Sequence, residues 1–115
     1  AFGQDSIRDP WYPMGNGNML RTLDSGLHAC HMLGMNWIDR SLELITDNGA
    51  AALHLQHYGI AEGLPARCVV LQGQTPYEVL LNQRPVVASV RDGQILVQRA
   101  AEDPMAALNN TLLSV

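Results

Sequence analysis

Lysine is absent from this chain, and all seven of its basic residues are arginine. That excludes a Schiff-base lysine and the lysine of a phosphate-binding loop. Basic charge is short altogether: eleven acids leave a net charge of -4. Nucleic acid and anionic membranes both select a basic surface, so neither reads as a main partner. No apolar run approaches the about 20 residues of a membrane-spanning helix, and the opening residues do not read as a signal peptide. Cysteine is limited to Cys30 and Cys68, which read as two buried free thiols in a cytoplasmic protein rather than as a disulfide framework. Aromatics make up only 5% of the residues, so the core must rest on Leu, Val, Ile, Ala and five Met. No serine sits in a nucleophile-elbow pattern. Gly15-Asn16-Gly17-Asn18 lacks the following lysine of a phosphate loop.

What is present suits one ordered domain: 115 residues at 47% hydrophobic content. Met19, Leu20, Leu23, Leu27, Cys30 and Leu33 recur at helical spacing, with Asn16 or Asn18 as the cap and Gly34 as a left-handed stop. Asn36 offers a second cap. Ile38, Leu42 and Ile45 mark one face of a next helix that Asn48-Gly49 ends, and Ala50 to Leu55 adds a further turn or two. Residues 16–56 therefore read as helical. The pattern then changes to a turn-rich connector at Tyr58-Gly59-Ile60-Ala61-Glu62-Gly63 and a buried strand at Cys68-Val69-Val70-Leu71. Thr75 caps a short helix from Pro76 to Asn82, with proline at its first position. Val86–Val90 and Gln94–Gln98 flank Asp92-Gly93, a strong hairpin signal. The tail from Ala101 reads as one last helix. Residues 1–5 have no parallel partner in such a chain. The order of elements reads as an unusual α+β domain or as the final unit of a barrel followed by a small β appendage, and the second explains more.

Chemistry concentrates at the opening, Phe2-Gly3-Gln4-Asp5-Ser6-Ile7-Arg8-Asp9-Pro10-Trp11-Tyr12-Pro13. Asp5 is the sharpest candidate. Pro10 and Pro13 restrict the backbone around Trp11 and Tyr12 and would hold a flat ring surface near the acid, a setting for a planar polar ligand. Asp9, just before Pro10, reads as a turn cap, with an Arg8–Asp9 pair as the weaker alternative. His28 and His31 share a helical spacing, as do His54 and His57. Two imidazoles do not complete a tetrahedral site, so these read as surface or packing histidines.

The opening run, with Asn18-Met19-Leu20 and Gly26-Leu27-His28-Ala29-Cys30, resembles cytosine deaminase of the bacterial type, in the amidohydrolase superfamily. The likeness continues through Leu44-Ile45-Thr46, Leu53-His54-Leu55-Gln56-His57-Tyr58-Gly59-Ile60 and Val90-Arg91-Asp92-Gly93-Gln94. It implies an α/β fold: the C-terminal part of a metal-dependent (β/α)8 barrel plus strands of its small β-sandwich, while the isolated chain would be α+β. Residues 1–60 would hold the last barrel strand, at 1–5, and its covering helices. Residues 61–100 would hold sandwich strands, and 101–115 a tail. Asp5 would be the metal-binding aspartate at the C-terminal end of its strand, where barrel enzymes keep their chemistry. Trp11 would line the substrate site with Ser6.

The implied reaction is hydrolytic deamination of a nucleobase-like small molecule. One divalent ion, iron or zinc, would lower the pKa of its water to about 7, and Asp5 would accept that water's proton. Ser6 stands where the best-known member of the family has a second acid and Gln4 where it has a histidine, so creatinine, isoguanine or a triazine amine are alternative substrates. Arg67 replaces an acid often found at a strand start, a structural matter. The His-x-His pair, a further metal-binding histidine and a proton-shuttling glutamate have no counterpart here. The isolated chain is therefore expected to be inactive, to hold no tight metal, and to associate with itself or with a missing N-terminal part. The competing reading is a non-catalytic α+β interaction module.

Overall fold

The computed structural model describes residues 1–100; the expected tail helix lies outside the described residues. Four short helices precede or interrupt a three-stranded antiparallel sheet, so the α+β reading of the isolated chain holds. Helix α1 spans Met19–Ala29 and starts where Asn18 Oδ1 accepts from the Leu20 N–H at 3.0 Å. Helix α2 is the single turn Met35–Ile38, a 3₁₀ turn follows at Ser41–Ile45, and α3 spans Asp47–Ala52. Strand β1 is Cys68–Leu71, α4 is Pro76–Leu81, β2 is Val86–Arg91 and β3 is Gln94–Gln98. The sheet order is β1-β2-β3, both pairs antiparallel.

The segment at 38–45 departs from the expected continuous helix. Ser41, fully buried, donates its hydroxyl to the Ile38 carbonyl at 2.7 Å, and Thr46 does the same to the Leu42 carbonyl at 2.7 Å. Hydroxyls that compete for helical carbonyls bend or interrupt the helix. Here the middle stretch tightens into the 3₁₀ form. The Leu44 carbonyl accepts instead from the Phe2 N–H at 2.9 Å, which ties the start of the chain to this turn.

The stops also differ. Asn48 and Gly49 lie inside α3, where the Gly49 carbonyl accepts from Leu53 N–H at 3.0 Å. Gly34 is not a left-handed stop: it is extended (φ -69, ψ 146) and caps α2 in place of Asn36. Three helices end instead on a non-glycine left-handed residue: His31 (φ 54) after α1, His54 (φ 53) after α3 and Gln83 (φ 46) after α4. Each time the next residue's N–H closes a six-residue ring, Met32 to Leu27, Leu55 to Ala50 and Arg84 to Val79, at 2.9–3.0 Å. Two histidines are thus helix terminators.

The later elements keep nearly the expected bounds, but β1 is not the buried strand read from the sequence, since Val69 and Val70 are exposed. Thr75 Oγ1 accepts from Glu78 N–H at 3.1 Å with Pro76 at the first turn of α4. Asp92 (φ 51) and Gly93 (φ 79) both take the left-handed geometry that a tight two-residue hairpin needs. Arg67 Nε donates to Asp92 Oδ1 at 2.6 Å, and Gly93 N–H to the Ala66 carbonyl at 3.3 Å, which fastens the hairpin tip to the start of β1.

The core is small. Leu23, Leu27 and Leu80 pack with Phe2, Met32, Leu42, Leu44 and Ile45, joining α1, the 3₁₀ turn and α4. The sheet stands outside it, and Val69, Val70, Ile95, Leu96 and Val97 are exposed. Cys30 is exposed and Cys68 half-buried, both free, which corrects the expectation of two buried thiols. Cys30 does not belong to the apolar face: Leu27 is buried, but Leu33 is exposed with it. No barrel is formed by the described residues; residues 1–5 belong to no strand.

Candidate functional site

From Ala1 to Ile7 burial alternates strictly. Phe2, Gln4 and Ser6 are half-buried, while Gly3, Asp5 and Ile7 are exposed. That two-residue period is the mark of extended backbone, whose successive side chains point to opposite sides. Three anchors hold the inward side. The Phe2 ring packs on the Leu23–Leu27 core and lies against Gly26 of α1, where an added Cβ would come within 2.8 Å of the ring. Gln4 donates from Nε2 to the Ser6 carbonyl at 3.2 Å, and its Oε1 accepts from Gly17 N–H at 3.1 Å and from the Thr22 hydroxyl at 3.4 Å. Gly15 is buried directly against Ser6.

Asp5 consequently faces away from the helices. Its carboxylate makes no hydrogen bond or ion pair to the described residues. An outward acid on an anchored extended segment keeps both oxygens free for a ligand. Asp5 fits one position of a metal's ligand set on those grounds, as hard or borderline divalent ions take carboxylate oxygen. It does not make a site alone: no group of three His, Cys, Asp or Glu among the described residues is placed to hold a metal ion. His28 instead sits by Asp24, 2.9 Å from its carbonyl and 3.3 Å from Oδ1.

Beyond Ser6 the loop is built by Asp9. Its Oδ1 accepts from the N–H groups of Trp11 at 3.0 Å and Tyr12 at 2.9 Å, and Gly15 N–H closes on the Tyr12 carbonyl at 3.2 Å. Asp9 is the turn cap read from the sequence, and no ion pair joins it to Arg8 among the described residues. Trp11 is carried on this loop with 91% of its surface exposed. Its ring is free to meet a ligand or another part of a larger protein, and the described residues supply no wall behind it. Of the three site residues read from the sequence, Asp5 and Ser6 are adjacent, and Trp11 stands on the loop that follows them. Two surface hollows lie elsewhere. One of about 70 Å³ is lined by His57, Tyr58 and Arg67, and one of about 190 Å³ lies between α1 and α4. Gln4, Gly15 and Gly26 build the site without chemistry of their own. No local periodicity gives them these roles, because the contacts that define them join the opening segment to Gly15, Gly17, Thr22 and Gly26, about eight to 24 residues away.

The donors on Asp9, the Tyr12 N–H first, hold its carboxyl below the ordinary value of 3.8. A carboxyl depressed in the folded state stabilises it above the unfolded pKa, and that contribution is lost as pH falls through the lower folded value. The 9–12 turn is therefore expected to hold at neutral pH and to loosen below about pH 4. Amide exchange at Trp11 and Tyr12 reads this directly. Equal protection at pH 6 and pH 3 would contradict it.

No family model matches the chain. It is 33% identical over 100 residues to N-isopropylammelide isopropyl amidohydrolase of Pseudomonas sp. (strain ADP), a match that covers 82% of this chain and 24% of that protein. Two crystal structures of 5-methylcytosine deaminase from Klebsiella pneumoniae match more strongly. The one liganded with phosphonocytosine is 50% identical with a TM-score of 0.83, and the one with 5-fluorocytosine 51% identical at 0.84. Each match covers 88% of this chain and 25% of the deaminase. The chain spans about a quarter of the length of the proteins it matches. Its resemblance to cytosine-deaminase-type members of the amidohydrolase superfamily, read from the opening motif, holds in both sequence and structure.

Proposed function

We propose that this chain is the C-terminal portion of an amidohydrolase-superfamily enzyme that hydrolytically removes the amino group of cytosine or a similar amine-bearing ring. The observation that carries the reading is the half-identical, closely superposing match to a quarter of a deaminase whose crystal structures hold phosphonocytosine and 5-fluorocytosine. Residues 1–60 then supply the last barrel strand and its covering helices, and 61–100 supply sandwich strands. The exposed apolar surface of β1 and β3 supports this, since it is the surface that further elements of a larger protein would cover.

In that enzyme Asp5 ligates a divalent ion, iron or zinc, and accepts a proton at its carboxylate. Such an ion, when bound, makes hydroxide available near neutral pH. The supporting feature is the free outward carboxylate. Trp11 presents a flat face to the ring, and Ser6, although its side chain is held on the side opposite Asp5, would border the substrate from the residue next to the acid. The described residues include no helix long and apolar enough to cross a membrane, and we assign the enzyme to the cytoplasm. The remaining metal ligands come from outside this chain, so the isolated chain neither holds the ion tightly nor turns over substrate.

A triazine amine is the second reading, supported by the 33% identity to the isopropylammelide enzyme. The pyrimidine reading rests on the higher identity. The test is ammonia release by the full-length protein from cytosine and 5-methylcytosine, set beside amine release from an N-alkylated triazine. Faster turnover of a pyrimidine is expected. Faster turnover of the triazine, or of neither, overturns the reading.

A further inference from the structure

The most specific device at the opening is the side chain of Gln4, and we propose that it is a positioning residue for Asp5. The inference rests on the reading of Asp5 as a metal ligand and general base, and it deepens that reading. Gln4 uses both ends of its amide. Nε2 holds the Ser6 carbonyl, on the far side of Asp5, while Oε1 takes the Gly17 N–H and the Thr22 hydroxyl. One side chain therefore joins the residue after Asp5, the loop before α1 and the first turns of α1. Gly17 lies in the left-handed region (φ 73), so its N–H direction is set by a conformation that glycine holds without strain.

The consequence is one of register. In an extended segment a slip of one residue turns every side chain to the opposite face. Residues 1–5 belong to no strand among the described residues; in the full-length enzyme the neighbouring barrel strands would add to the anchors that follow. Phe2 pins it on one side of Asp5, through its ring and the bond to Leu44. Gln4 pins it at the adjoining residue and, through the Ser6 carbonyl, on the other side. The Asp5 carboxylate is directed outward because its two neighbours are held inward.

A glutamine suits this role because it supplies a donor and an acceptor at one amide with no charge next to Asp5. Hydrogen bonds made directly to a ligating side chain change metal affinity or activity by about tenfold to a hundredfold when removed. Gln4 acts one step further out, through the backbone on either side of Asp5, so its removal falls at the low end of that range.

The test uses the full-length enzyme. Gln4→Met keeps the length of the side chain and removes all three bonds. It is expected to lower kcat by about tenfold, the low end of the range for direct supporting bonds, to weaken zinc binding by the apoenzyme by a similar factor, and to speed amide exchange at Gly17. Gln4→Glu keeps the acceptor for Gly17 and Thr22 but cannot donate to Ser6. It is expected to keep Gly17 protected while still losing several-fold in zinc affinity, and it carries the test should Gln4→Met fail to fold. Parental kcat and zinc affinity in the folded variant overturn the inference. Asp5→Asn, measured in parallel, separates the two readings: if it retains activity, the role of Asp5 fails with that of Gln4. If it is inactive while the Gln4 variants are parental, only Gln4 is misassigned.

Discussion

Asp5→Asn in the full-length enzyme should abolish turnover while leaving the protein folded. The loss is expected at about 10²–10⁴-fold in kcat, the range that a positioned proton acceptor supplies. Asparagine keeps the size of the side chain and one ligating oxygen, but it loses the charge and the ability to accept a proton. Compared metal-free, the fold should not register the change. Asp5 is exposed and bonds to no described residue, and substitutions at such positions usually stay within about 0.5 kcal/mol. The contrast with Asp9 sharpens the test. That acid, four residues on, is committed to two backbone N–H groups, so its replacement should disturb the loop. Steady-state kinetics and thermal melting on the same preparations decide the matter. An Asp5→Asn enzyme retaining more than about a tenth of kcat would sink the catalytic role.

Gly15→Ala should be the most damaging small substitution in the opening region. The residue is buried, and its backbone is not in the left-handed region, so conformational freedom is not the issue. Space is. A Cβ at this position would run into the Ser6 carbonyl, approach Gln4 Nε2 to 2.9 Å and meet Ile7 Cα at 3.0 Å. The obstacles are mainly backbone, which cannot rotate away as a flexible side chain would. Overpacking of this kind costs about 1–3 kcal/mol. It would push the Ser6 carbonyl off Gln4 and move Asp5 with it. The expected result is a lowered melting temperature together with lost activity, whereas Gly3→Ala, with nothing within 4 Å of the new Cβ, should do neither. Equal melting temperatures for the two variants would contradict the packing argument.

Legibility differed sharply along the chain, and for a consistent reason. Asn18, Thr75 with Pro76, and Asp92-Gly93 set their elements through bonds to residues two or three positions away. Such signals are local and survive any tertiary context. The 38–45 segment misled because its apolar spacing is helical, while its backbone answers to the hydroxyls of Ser41 and Thr46 and to the distant N–H of Phe2. Gly34 and Asn48-Gly49 are good helix stops by propensity, yet the chain stops at His31 and His54. A closing ring of backbone bonds offsets the modest cost of a left-handed non-glycine residue there. The same fact accounts for two of the histidines that, by spacing alone, suggest metal.

By itself, then, the sequence determined the chemistry on offer. An acid precedes a proline-bounded aromatic loop, no lysine or nucleophile elbow competes with it, and the whole resembles a deaminase. It also determined each element whose cap or turn is local. Only the tertiary structure decided which way the acid faces. Residues 1–7 carry no hydrophobic alternation strong enough to fix their own register. Phe2 against Gly26, Gln4 between Ser6 and Gly17, and the buried Gly15 settle it from outside the segment. Orientation of a short extended piece is a property of its neighbours, and these neighbours lie up to about forty residues away, at Leu44.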